Sequence, residues 1–132
     1  GQAIATLKAA GATVVDVQVP TYNRWNQPEF EVLLYEFKDG LNTYLASSAS
    51  PHKSLAALIA WNTANKAQAM PFFGQEIFLK AVEKGPLSTP AYKEALEKCG
   101  RLSRKEGLDA VLDRHRLDAH GRVSVRANAR YP

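Results

Sequence analysis

Pro28-Glu29-Phe30-Glu31-Val32-Leu33-Leu34-Tyr35-Glu36-Phe37-Lys38-Asp39-Gly40-Leu41-Asn42-Thr43-Tyr44-Leu45 is the stretch that decides the fold class. Phe30, Leu33, Leu34, Phe37, Leu41, Tyr44 and Leu45 recur at steps of three and four, drawing one apolar stripe along a helix to about residue 46. Pro28 suits a first helical turn, where its missing N–H would be unpaired anyway. Glu29 and Glu31 complement the positive end of the helix. A stripe this long predicts a helix with one buried face, around which shorter helices pack.

Downstream, Ser54 is placed to cap a helix carrying Leu55, Leu58 and Ile59, with Trp61 anchored in the core. Met70-Pro71 restarts the chain, and Phe73, Ile77, Phe78, Ala81 and Val82 form a further helical stripe ending at Gly85-Pro86. Ser88 or Thr89 before Pro90 caps a helix running towards Glu106, supported by Glu94 with Lys98 and Glu97 with Arg101 at four-residue spacing. Gly107 breaks it, and residues 108–115 add another turn or two. Upstream, residues 3–10 read as a helix with Ile4 and Leu7 on one face and Gly11 as its cap. Residues 12–19 alternate, with Val15, Val17 and Val19 on one side and Val14, Asp16 and Gln18 on the other, which predicts a strand over 13–19 stopped by Pro20. Val123 and Val125 offer a second strand over 122–126. The expected fold is mostly α and α/β-derived: five or six helices with one or two strands.

At 132 residues and 45% hydrophobic content the chain is long enough for one domain with a real core. Its apolar runs are too short to span a bilayer and no signal-peptide pattern is present, so a cytoplasmic setting without membrane attachment is expected. The single cysteine, Cys99, rules out an internal disulfide and fits a reducing compartment. Its helical spacing with Tyr92, Ala95, Leu96 and Leu102 makes it a core thiol rather than a nucleophile.

The net charge of +4 arises beyond Gly100, where eight Lys and Arg face four Asp and Glu. Arg122, Arg126 and Arg130 have no acid after Asp118. No aromatic ladder, zinc pattern or glycine-rich phosphate loop accompanies them, so they read as a solvated basic tail and not as a specific nucleic-acid site. His52, His115 and His120 are not paired at metal-ligand spacing, and no metal or other cofactor is expected. Glu76 in a first helical turn reads as a capping or hydrogen-bonding group, since a general acid or base needs a partner that sequence does not supply.

Seven segments carry a family resemblance. Met70-Pro71-Phe72-Phe73-Gly74-Gln75-Glu76-Ile77-Phe78 is preceded by Tyr35-Glu36-Phe37-Lys38, Leu41-Asn42 with Tyr44-Leu45, and Ser54 to Asn62. It is followed by Pro90-Ala91-Tyr92, Glu106-Gly107-Leu108-Asp109-Ala110, and His115 with Leu117-Asp118-Ala119. Their order and spacing resemble the carboxy-terminal portion of amidase signature hydrolases, including glutamyl-tRNA amidotransferase A-subunit relatives and fatty-acid-amide-hydrolase-like enzymes. The resemblance implies amide hydrolysis by a nucleophilic serine, a proton-relaying serine and a lysine base, with the serines in a Gly/Ser-rich loop. That loop is missing from this sequence. Ser47-Ser48-Ala49-Ser50-Pro51 lacks flanking glycines and reads as an interhelical loop, so no catalytic residue is assigned. An amidase-related fragment, inactive alone, is the expectation, and a small helical self-associating or partner-binding module is the alternative.

The resemblance covers residues 1–119 and ends at Ala119, where the family continues with an apolar strand and a turn. Residues 120–132 form the basic tail instead. With permitted codons, a one-base shift at His120 yields Met-Val-Ala followed by Ser-Pro-Ser-Gly, so a frameshifted or truncated gene is expected. A fragment of this kind retains an open strand edge and apolar faces, which predicts a homodimer formed through Val15, Val17, Phe30, Leu34 and Phe37.

Overall fold

The computed structural model describes residues 2–119. Its helices are α1 (Gln2–Ala9), α2 (Asn26–Ser47), α3 (Leu55–Ala64), the single turn α4 (Lys66–Ala69), α5 (Glu76–Val82), α6 (Pro90–Gly100) and α7 (Asp109–His115), with a π-helical segment, Arg101–Leu108, between the last two. The mostly helical expectation holds. The strand expectation does not: no strand is present among the described residues, and residues 12–19 form irregular chain. Alternation sorts side chains to two sides, but a ladder also needs a neighbouring backbone, and none of the described residues supplies one. The second strand, over 122–126, lies outside the described residues.

Helix α2 is the spine, 22 residues and ~33 Å long. Helices α3, α5 and α6 all pack against it. Leu34 (3% exposed), Leu55 (0%) and Ala81 bring α2, α3 and α5 together, and Phe37, Leu41, Ile59, Phe78 and Val82 pack around them. Burying a leucine completely contributes about 1.5–3 kcal/mol, so Leu55 is a principal anchor of α3. Tyr35, on α2 beside Leu34, is also buried, as are Tyr92, Ala95, Leu102 and Val111, and the Tyr35 and Tyr92 rings meet at 5.6 Å.

Polar pins fix the angles between these helices. The Leu55 amide donates to Asn42 Oδ1 at 2.8 Å, tying the start of α3 to α2. Ser54 Oγ accepts from the Ala57 amide at 3.1 Å, the cap its position predicted. Lys38 Nζ donates to the Val82 carbonyl at 2.9 Å and also to the Lys84 carbonyl. A cation from α2 thus satisfies carbonyls at the negative end of α5.

Several boundaries moved for physical reasons. Gly11 caps α1 as expected: its φ is +92°, and amides of Gly11 and Ala12 return to the carbonyls of Lys8 and Leu7. Helix α5 starts at Glu76, so Phe73 precedes it and is not part of its buried stripe. The helix expected from Pro90 to Glu106 stays α-helical only to Gly100. Beyond that the wider segment leads into Gly107, whose φ of −104° and ψ of −105° are not helical. Arg101 accordingly pairs with Glu106 at 2.6 Å and not with Glu97. Trp61 is 41% exposed and lies against His52 at 5.6 Å instead of anchoring the core.

Candidate functional site

The loop between α4 and α5 breaks helical periodicity because Pro71 cannot donate to a helix and Gly74 disfavours one. Gln75, at its end, is held from three sides. Its Oε1 accepts from Asn62 Nδ2 at 3.1 Å, while its Nε2 donates to Thr63 Oγ1 at 2.9 Å and to the Ile59 carbonyl at 3.3 Å. These bonds clamp the loop to α3. An open cleft of about 430 Å³ results, lined among others by Asn62, Met70, Phe72, Phe73, Gln75 and Ile77. Phe72 is 87% exposed and Phe73 85%. Sequence reading singled out this nonapeptide but assigned Phe73 to a buried stripe. The signal that could have corrected it is Gly74, which separates Phe73 from the helix proper.

Of the residues expected to mediate self-association, Phe30, Leu34 and Phe37 share one face of α2, while Val15 and Val17 lie in the irregular segment before it. Val15 is 47% exposed and Val17 half-buried in the irregular segment. Phe30 lies at the surface of α2 with Lys80 5.5 Å above its ring. Leu34 is in the core, and Phe37 packs on Phe78 at 5.4 Å.

The serines between α2 and α3 are engaged with backbone. Ser47 Oγ donates to the carbonyls of Thr43 and Tyr44, and Ser48 Oγ donates to the Leu45 carbonyl while accepting from the Ser50 amide. Ser50 Oγ accepts from the His52 amide at 3.1 Å. The nearby lysine, Lys53, places its Nζ 2.6 Å from the Ser48 carbonyl oxygen, not on a serine hydroxyl. These contacts close the end of α2.

Two other polar sites join α2 to its neighbours. Lys84 pairs with Glu31 at 2.5 Å and lies 5.5 Å over the Tyr35 ring. The Tyr92 hydroxyl donates to Glu36 Oε1 at 2.8 Å, and this bond to a carboxylate, with burial adding to it, raises the phenol above its ordinary value of 10.0. Burial, followed by the Glu29 charge, pushes the half-buried Cys99 thiol upward, away from the thiolate that a nucleophile requires. Among the described residues no three His, Cys, Asp or Glu side chains gather into a possible metal site, and no helix is long and apolar enough to cross a membrane.

No family model and no curated protein sequence matches the chain. Solved structures do. Native peptide amidase from Stenotrophomonas maltophilia superposes with a TM-score of 0.82 at 44% identity, over 89% of this chain and 24% of that one. The same values hold for peptide amidase PAM in complex with the competitive inhibitor chymostatin. PAM12A gives a TM-score of 0.81 at the same identity and coverage. The chain therefore spans about a quarter of the length of the proteins it matches. Over the shared span it is similar to peptide amidase in both sequence and fold, in agreement with the amidase signature resemblance carried by its motifs.

Proposed function

We propose that this chain is the helical, non-catalytic part of an amidase-related protein and does not hydrolyse amides by itself. The observation that carries the reading is the placement of the serines. Hydrolysis of the family type needs a serine nucleophile, a second serine to relay its proton and a lysine base within hydrogen-bond reach. Here the hydroxyls of Ser47 and Ser48 serve backbone carbonyls, and Lys53 serves a carbonyl as well. Amide hydrolysis is the activity proposed for the parent protein, since the matched enzyme is a peptide amidase. A reducing, cytoplasmic setting accords with a lone, half-buried cysteine.

The test is incubation of the purified chain with aryl, aliphatic, glutaminyl and peptide amides, alongside Ser47→Ala and Ser48→Ala. No turnover above buffer is expected. Turnover that either substitution abolishes would refute the reading.

A second reading, a small helical module that self-associates, is favoured by the number of large apolar side chains at the surface: Phe72 and Phe73 above all, with Leu33, Ile77 and Leu79.

A further inference from the structure

Glu76 is the one charged side chain among the described residues that line the cleft before α5; no Lys, Arg or His accompanies it. Its carboxylate is exposed and enters no ion pair or hydrogen bond among the described residues. Gly74 decides where that charge sits. A Cβ there would collide with Glu76 Oε1 and lie 2.9 Å from Glu76 Cδ, so the carboxylate folds back over the loop into space that a glycine leaves empty. The rest of the wall is mainly apolar, with Met70, Phe72, Phe73, Ile77 and Phe78 around the carboxylate.

We propose that this cleft binds a small organic ammonium ion with an apolar body, of the arylalkylammonium class, its charge paired with Glu76 and its hydrocarbon part laid against Phe72 and Phe73. The volume of about 430 Å³ falls within the ~300–1,000 Å³ of small-molecule sites, and a mostly apolar lining with one charged group is their usual composition. The sign of the ligand follows from the carboxylate. An anion is repelled, and an uncharged ring would take water from the charge and return nothing. An ammonium ion replaces that water with a charge-assisted hydrogen bond. The phenylalanine faces act in the same direction, because an aromatic ring presents its negative face to a cation. Both rings stay where they are as walls of the site. Gln75, bonded to Asn62 and Thr63, ties the loop to α3, so the wall is formed before a ligand arrives and little ordering is needed. The serines between α2 and α3 take no part, so the site stands apart from the hydrolytic reading.

Titration of the isotopically labelled chain with phenethylammonium, phenethyl alcohol and phenylacetate, followed by amide chemical shifts, tests this. The ammonium is expected to shift the amides of residues 72–77 and to bind about 5-fold more tightly than the alcohol, with phenylacetate weakest. Glu76→Gln is expected to bring the ammonium down to the affinity of the alcohol and to leave the alcohol unchanged. Gly74→Ala keeps the charge but gives its place to a methyl group; the displaced atoms are the end of a flexible side chain, so the fold is retained and the same preference is lost. Phe72→Ser/Phe73→Ser is expected to weaken ammonium and alcohol together, with the amide spectrum of the helices unchanged. Equal binding of the three probes, no binding, or an ammonium preference that survives Glu76→Gln would overturn the site. A preference that survives Gly74→Ala would overturn the placement of the carboxylate on which it rests.

Discussion

Gly107 and Thr21 touch across the base of the π-helical segment, and each constrains the other. A Cβ on Gly107 would sit 2.5 Å from the Leu102 carbonyl oxygen and 2.9 Å from Thr21 Oγ1. The first neighbour is backbone and cannot turn away. Gly107→Ala is therefore expected to destabilise the fold by about 1–3 kcal/mol, the usual cost of overpacking. Urea denaturation checks it: the midpoint should fall while the slope stays constant. Thr21→Val should not rescue this loss, because the carbonyl contact remains. Alone it should be neutral or stabilising, since Thr21 Oγ1 is buried without a hydrogen-bond partner among the described residues. Tyr92 gives a pH dependence. Its folded phenol is raised above 10.0, chiefly by the bond to Glu36. The folded state thus holds its proton more tightly than the unfolded chain, and this stabilisation is complete below pH 10.0 and lost as pH climbs through the higher folded value. Denaturation curves of wild type and Tyr92→Phe across that range should converge as alkalinity rises. A difference that stays constant with pH would refute the linkage.

At the scale of elements, helices were legible wherever the burial stripe followed a single period. Helix α2 shows this from Leu34 to Leu45, and α3 shows it from the Ser54 cap into Leu55. Most of the misreadings share a cause, that a side chain's surroundings come from distant sequence; Phe73 is the local exception. Residues 12–19 alternate well but have no partner strand among the described residues. Phe73 has helical spacing to Ile77, but Gly74 stands between it and the helix. Gly107 does interrupt helical geometry, while the wider winding that precedes it has no signal in the local sequence. Of the candidate surface, the sequence revealed the nonapeptide and not its exposure, because solvent contact depends on whether α3 and α5 leave the loop outside. Helix α1 differs from the rest. It buries no residue and packs against no other helix among the described residues. A variant lacking residues 2–11 is therefore expected to have an unfolding free energy within about 0.5 kcal/mol of wild type. A larger loss in thermal or urea melts would show that α1 contributes to the packed unit.

Across the whole molecule, one asymmetry follows from the place of α2 in the chain. The helix that receives α3, α5 and α6 precedes all of them in sequence. Synthesis from the amino end completes this template before any of its clients has emerged from the ribosome. Each later helix therefore leaves the ribosome after the segment it packs on. Lys38, waiting on α2 for the carbonyls at the end of α5, becomes a latch that closes only when that helix arrives.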